Sequence, residues 1–199
     1  MKTPREAIVL DITRPAVAPS PSTPPTPTTH QKDDSKTWAG TIYRGGHPYQ
    51  ARPETIRFLK ERVEADRAML AVEFEGIDNT RWRYVFGAVR QADGSWTADG
   101  GTGSGGEGEP QVREPWANFG GWGWPRFLCL GGRVHGEGVE SVRLIDAGGR
   151  IVEDDVANGV ALLLSNQPVE MPFRLELLDR EGAVLRVQAW PPEPGSRPR

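Results

Sequence analysis

Two side chains with the spacing of an acid–base pair, His135 and Glu137, lie in the stretch VHGEGVE. Side chains two positions apart point to the same side of an extended chain, so an imidazole and a carboxylate at this spacing can share a proton. A hydrolase also needs a nucleophile, and the sequence has no G-x-S-x-G motif to supply a serine. A hydrolase around these two residues is therefore the third of three functional hypotheses, and its alternative is a loop histidine without a catalytic role.

The single cysteine, Cys129, excludes an internal disulfide and any zinc site built from cysteines. Its neighbours Phe127, Leu128 and Leu130 are apolar, which favours a buried thiol that acts as a small hydrophobe. The three histidines, at positions 30, 47 and 135, are too scattered to form a ligand set at metal-binding spacing. We therefore predict neither a metal nor a cofactor.

A glycine-rich stretch, residues 99–110, satisfies the pattern G-x-G-x-x-G at Gly101, Gly103 and Gly106. A nucleotide-binding loop of this kind must be followed by a helix whose N-terminus receives the phosphate. Glu-Gly-Glu-Pro follows instead, which is a poor helix start and carries the wrong charge, so we interpret the stretch as a mobile surface loop. The formal net charge of -3, without a basic stripe, argues against a nucleic-acid partner.

An aromatic, glycine-rich stretch at residues 115–135 holds three of the seven tryptophans. Tryptophan and arginine are enriched at the centres of protein interfaces, and an exposed tryptophan ring also suits a carbohydrate or small ligand. The alternative is that these rings seal one end of a core. The candidate binding residues are Trp116, Phe119, Trp122, Trp124 and Arg126.

The N-terminal segment 6–12, EAIVLDI, is a second candidate for binding a partner. It is β-prone and precedes a stretch rich in proline and threonine, so we predict that residues 1–36 form a disordered tail that carries a strand-forming peptide. Such a peptide can add a strand to the edge of a sheet, in its own domain or in a partner. The candidate contact residues are Ile8, Val9, Leu10 and Ile12.

Periodicity defines the elements that must position these residues. Ile56, Leu59 and Val63 have the spacing of one helical face, so residues 53–68 are predicted to form an amphipathic helix. From residue 69 the period changes to two, which predicts an antiparallel hairpin of strands at 69–75 and 81–86. The apolar run at 160–164 is typical of a central strand that is buried on both faces.

Three Asp–Gly turns separate further strands, around Asp93, Asp146 and Asp179. An aspartate can bond to the backbone of its own turn, and a nearby glycine provides a positive φ. These aspartates are therefore assigned to turns and not to catalysis.

Together these patterns predict a mostly β protein, an antiparallel β-sandwich-like domain with one amphipathic helix packed on it and disordered termini. The predicted domain covers residues 37–190, and residues 191–199 form a flexible tail. No apolar run reaches the roughly 20 residues that a membrane span requires, and none is long enough to be the core of a signal peptide. Both observations favour a cytoplasmic protein. The leading functional hypothesis is a non-catalytic module that binds another protein, and the second is a carbohydrate- or small-ligand-binding sandwich.

Overall fold

The structure, a computed structural model, describes residues 2–14, 50–105 and 114–191. Most of the predicted N-terminal tail (15–36) and of the C-terminal tail (192–199) lies outside these residues. The elements in chain order are α1 (Pro4–Thr13), a 3-10 turn (Pro53–Thr55), β1 (Arg57–Glu64), β2 (Arg67–Glu75), β3 (Arg81–Arg90), β4 (Trp96–Gly105), β5 (Trp116–Trp122), β6 (Leu128–His135), β7 (Ser141–Ile145), β8 (Ile151–Asp155), β9 (Val160–Ser165), β10 (Phe173–Leu178) and β11 (Val184–Trp190).

The strands form three antiparallel sheets that are stacked as layers. The front sheet has the strand order β1-β2-β3-β4, the middle sheet β5-β6-β9 and the back sheet β11-β10-β7-β8. Helix α1 packs on the outer face of the front sheet. The prediction of a mostly β, antiparallel fold with one packed helix is confirmed.

The predicted hairpin at residues 69–86 is confirmed as β2 and β3, and it is buried on both faces. Leu70 and Phe74 point towards α1, whereas Met69 and Ala71 point towards the middle sheet. Period-two alternation therefore separates two apolar sets here, because the front sheet has a layer on each side.

Strand β9 is buried along its whole length because it lies between two layers. Leu162 and Leu164 pack against the front sheet, and Ala161 and Leu163 pack against the back sheet. Within the middle sheet β9 is hydrogen-bonded only to β6, so it is an edge strand by pairing. The predicted burial on both faces is confirmed, but it comes from stacking and not from a central place in the ladder.

The predicted helix at 53–68 is wrong, because β1 and the start of β2 form a hairpin there. Charged side chains of β1 lie on both sides of the front sheet, and three of them form ion pairs with residues distant in the chain. Glu61 forms an ion pair with Arg5 of α1, whereas Lys60 and Arg62 both pair with an aspartate of β8 on the opposite side. These tertiary pairs favour a strand, and the local sequence does not contain them.

The segment 6–12, predicted to be β-prone, belongs to helix α1 instead. A capping box begins the helix: the Glu6 N–H donates to the Thr3 hydroxyl (3.3 Å), and the Thr3 N–H donates to the Glu6 carboxylate (2.7 Å). Pro4 occupies the start of the first turn, where its missing N–H costs nothing. The T-x-x-E signature with this proline outweighs the β propensity of the isoleucines and valine that follow.

The glycine-rich stretch is also a strand as far as it is described, because β4 continues to Gly105. Its glycines lie on the aromatic face of β3. A Cβ atom at Gly103 would come within 2.3 Å of the Tyr84 ring, and one at Gly101 would come within 3.1 Å of the Phe86 ring. The glycines therefore serve close packing and not mobility, and the predicted surface loop is wrong for residues 99–105.

The three Asp–Gly turns are confirmed. In each turn the aspartate carboxylate accepts a hydrogen bond from a backbone N–H further along, and a glycine has a positive φ between 80° and 83°. The pairs of aspartate and glycine are Asp93 with Gly94, Asp146 with Gly149, and Asp179 with Gly182.

A buried ionic cluster joins all three sheets beside β9. The Asp154 carboxylate of β8 lies 2.7 Å from the ammonium of Lys60 and 2.9 Å from the guanidinium of Arg62. The same carboxylate accepts a hydrogen bond from the backbone N–H of Leu162 (2.6 Å). The side chains of Lys60 and Asp154 are only 9% and 7% exposed, so this cluster is an internal contact and not a surface ion pair.

Candidate functional site

The predicted binding residues of the aromatic stretch do not form one surface. They are divided because β5 lies in the middle sheet, where successive side chains point to different layers. Trp122 packs towards the front sheet, where Gly87 leaves room for its indole ring. Phe119 and Trp124 pack into the core shared with the back sheet, whereas Arg126 is exposed.

Trp116, the first of these aromatic residues, contacts the inner face of strand β11. The ring is buried, and the guanidinium carbon of Arg186 lies 5.0 Å from its centre. Next along β11, the buried Gln188 amide accepts a hydrogen bond from the Ala117 N–H (2.7 Å) and donates one to the Ala117 carbonyl (3.2 Å). Trp190 then stacks on the phenylalanine at the start of β10. The inner face of β11 is therefore held in place at three successive inward-facing positions.

The predicted contact residues of the N-terminal segment are also divided. Ile8 and Ile12 are fully buried against the front sheet, so they belong to the core of their own chain. Val9 is half-buried and Leu10 is exposed. A peptide that adds a strand to a sheet is not what this segment forms here.

The geometry assumed for His135 and Glu137 does not hold. His135 is the half-buried last residue of β6, and Glu137 is exposed in the turn that follows. Gly136, between them, has a φ of 94°, so the chain is not extended at this point. The argument from spacing for a shared proton is therefore removed.

Cys129 is buried between the front and middle sheets, and burial raises the pKa of its thiol to about 12. In the folded protein at pH 8, we expect it to react with a disulfide reagent at least roughly tenfold more slowly than a free thiol of pKa about 8.5, because the thiolate is scarce, although its higher nucleophilicity offsets part of this effect. The thiol should become fully reactive in denaturant. Rapid labelling of the native protein would contradict this placement.

Side chains close several edges of the three sheets. An edge strand presents unpaired backbone groups, and natural proteins cover them or make pairing unfavourable. Here amide and carboxylate side chains take the place of a neighbouring strand on β1, β9 and β5. The contacts are Asn158 with the Leu59 carbonyl (2.7 Å), Asn166 with the Glu64 carbonyl (2.8 Å), Asp154 with the Leu162 N–H, and Gln188 with the Ala117 backbone.

Strand β11 is an open edge. Among the residues that the structure describes, β11 pairs only with β10, and nothing bonds to its other side. Its large aliphatic side chains Val184, Leu185 and Val187 are 50%, 41% and 53% exposed. The strand contains neither a lysine nor a proline, and its one charged residue, Arg186, is directed inwards to the Trp116 ring. Of the usual protections of an edge strand, β11 has a bulge opposite Leu177 and Leu178 and the charge of Arg186, which also pairs with Glu114 at 2.9 Å, but it has no lysine, no proline and no covering segment among the described residues.

Sequence reasoning missed this edge. The sequence predicts a strand at residues 183–189, but nothing in the segment itself distinguishes an edge strand from a central one. The bulge brings Val184 and Val187, which are three positions apart, to the same outer face of the back sheet, because they lie opposite Leu178 and Glu176, and simple alternation does not show this.

Comparison with known proteins identifies no relative: no family model, no curated protein and no solved structure matches this chain. Among the described residues, no three histidine, cysteine, aspartate or glutamate side chains are grouped so that they could hold a metal ion. The same part of the chain contains no helix with the length and apolar character needed to cross a membrane.

Proposed function

We propose that this protein is a non-catalytic interaction module that binds an extended segment of another protein by strand addition at β11. The observation that carries the proposal is the exposure of Val184, Leu185 and Val187 on an edge strand without a neighbour among the described residues. In strand addition, backbone hydrogen bonds supply affinity and alternate side chains supply specificity.

The rigidity of β11 supports the proposal as well. A strand that accepts a peptide must offer its backbone groups in a fixed register, because ordering the acceptor would reduce the affinity. Gln188 and Arg186 attach the inner face of β11 to the start of β5, so the edge is already ordered. Trp116 thus contributes to the proposed site by contacting the inner face of β11, and we do not expect it to contact the bound peptide.

The other edge of the back sheet provides a contrast. Strand β8 also has an exposed aliphatic residue, Ile151, on the outer face. The backbone carbonyls of Glu153 and Asp155 in this strand accept hydrogen bonds from Arg62 and Lys60 of β1, so this edge is partly covered. Between the two edges, the charges of the outer face pair with one another, as Arg143 does with Glu153 at 2.8 Å. The chemistry at β11 therefore selects an apolar, extended segment and not a charged one.

The proposal predicts that Val187→Lys weakens peptide binding at least tenfold, because a lysine on an edge strand opposes pairing with a further strand. Peptides would be selected from a random ten-residue display library on the wild-type protein, and their affinities measured by fluorescence anisotropy. We expect the selected peptides to carry apolar residues at alternate positions. Amide shifts in an NMR titration should be concentrated in β11.

Ile151→Lys is the matched control, because it places the same charge on the same outer face at the opposite edge. Both substitutions are at exposed positions and should change the free energy of unfolding by less than about 0.5 kcal/mol. Peptides that bind the Val187→Lys protein as well as they bind the wild type, or a library that yields none, would contradict the proposal.

A further inference from the structure

The outer face of the front sheet, now covered by α1, carries a second inference, independent of β11. We propose that this face is a binding site for a short helix in its own right, and that its second occupant is α1 of another copy of this chain. Each copy would then place its helix on the front sheet of its partner, in a closed, two-fold dimer.

The contact between α1 and the sheet is small and well defined. Ala7, Ile8 and Ile12 are 5%, 0% and 1% exposed, and they pack into the cluster that contains Leu70 and Phe86. A helix of 10 residues has little stability by itself in water, so α1 is helical because the sheet binds it. This is the behaviour of a ligand that folds on its receptor.

A polar contact fixes the direction of the helix on the sheet. The Arg5 guanidinium lies 2.6 Å from the Glu61 carboxylate and 5.1 Å from the centre of the Phe58 ring. The site therefore recognises a helix that has a basic residue in its first turn and an apolar pair one turn apart.

The front sheet has its own support when α1 is removed. Met69, Ala71 and Val85 pack against Leu162 and Leu164 of the middle sheet, on the face that α1 does not touch. The hydrogen-bond ladder from β1 to β4 also contains no residue of the helix. Loss of α1 would uncover an apolar face but would leave the sheet paired and packed.

The connection to α1 permits exchange between copies. The described residues on either side of the segment 15–49 lie close together, since the Ala51 N–H donates to the Ile12 carbonyl (2.9 Å). A segment of roughly 35 residues can span at most about 120 Å, so the length of the connection does not oppose exchange between copies. Exchange retains every contact of α1, so it is governed by concentration and not by new interactions.

The first experiment asks whether the site accepts a helix in trans. The probe is a fluorescent peptide of residues 2–14, added to the full chain carrying Ile8→Asp and Ile12→Asp, whose own helix cannot occupy the face. We expect saturable binding at one peptide per chain, and at least tenfold weaker apparent binding to the wild type, whose site is filled. A peptide with Ile8→Ala should bind at least tenfold more weakly than the unchanged peptide.

Two results of this experiment would overturn the inference. One is a folded double variant that does not bind the peptide. The other is a double variant that has lost the circular dichroism of its sheets, because α1 would then be an integral part of the fold.

The second experiment tests the occupant. Wild-type protein would be unfolded in urea and refolded at about 1 mM, near the effective concentrations typical of linked elements, and its mass measured by light scattering after gel filtration. We expect a dimer fraction that rises with the concentration during refolding and is lost in the double variant. Val187→Lys should leave it unchanged, which separates this dimer from association at β11. A protein that stays monomeric at every concentration, or a dimer that persists in the double variant, would show that α1 is not exchanged.

Discussion

Replacing Asp154 with alanine is expected to lower the free energy of unfolding by about 3–5 kcal/mol, because it removes the buried carboxylate that Lys60 and Arg62 share and leaves the Lys60 ammonium with only the more distant, exposed carboxylate of Asp155. The substitution also removes the acceptor of the Leu162 N–H, so the open side of β9 loses its cover. Urea unfolding followed by tryptophan fluorescence would measure the loss. Asp154→Asn, which keeps an acceptor oxygen but removes the charge, should fall between alanine and the wild type.

Asp155 is the matched control for this position. It is the next residue and also contacts Lys60, with 3.2 Å between carboxylate and ammonium, but its side chain is 76% exposed. Asp155→Ala should therefore cost less than about 1 kcal/mol, as is usual for exposed ion pairs. The double variant Lys60→Met with Asp154→Leu should recover only part of the loss caused by Asp154→Ala, because it removes the buried ammonium but still leaves the Leu162 N–H without its acceptor. Equal effects at positions 154 and 155 would show that the cluster is not buried.

Truncation of two adjacent residues of β9, Leu162→Ala and Leu163→Ala, is expected to cost about 2–5 kcal/mol each. In a strand with one face in water, only every second residue is sensitive. Here both leucines are fully buried, since one packs against the front sheet and the other against the back sheet. Denaturant unfolding of the two single variants would test the stacking of three sheets directly.

Leu185→Ala on β11 is the comparison for this series. The side chain is 41% exposed and no layer formed by the described residues covers it, so its loss should change the free energy of unfolding by less than about 0.5 kcal/mol. If only one of the two β9 substitutions lowered the free energy of unfolding, one face of the middle sheet would have to be open to solvent. That result would contradict the layered arrangement.

The parts of the fold that could be predicted are those whose signals are local. Each of the turns at Asp146 and Asp179 contains the aspartate and the glycine that form it. In the hairpin of β2 and β3, the residue types alternate along the strands with a clear period of two. The hairpin of β1 and β2 lacks such a signal. Its turn places Ala65 at a φ of 52°, where a glycine or asparagine would have marked the reversal, so the apolar spacing of β1 was interpreted as a helix.

The candidate site depends on sheet order, which the sequence does not state. The sequence singles out Trp116 as a candidate binding residue, but the contact of its ring with Arg186 joins positions 70 residues apart in the chain, and a local pattern contains no information about such a contact. Val187 was not singled out at all. An exposed valine becomes noteworthy only when its strand is known to be the last in the sheet, and that knowledge requires the complete pairing of β7, β8, β10 and β11.

The burial of β9 between two sheets also has a consequence for synthesis on the ribosome. The front sheet is complete once Gly105 has been added, but β9, which supplies much of the apolar cover for its inner face, ends only at Ser165. At rates of about 5–20 residues per second, the roughly 60 residues in between take about 3–12 s to add. During that interval the nascent chain presents an incompletely covered apolar sheet surface. We therefore expect chaperone binding to be strongest at this stage of synthesis.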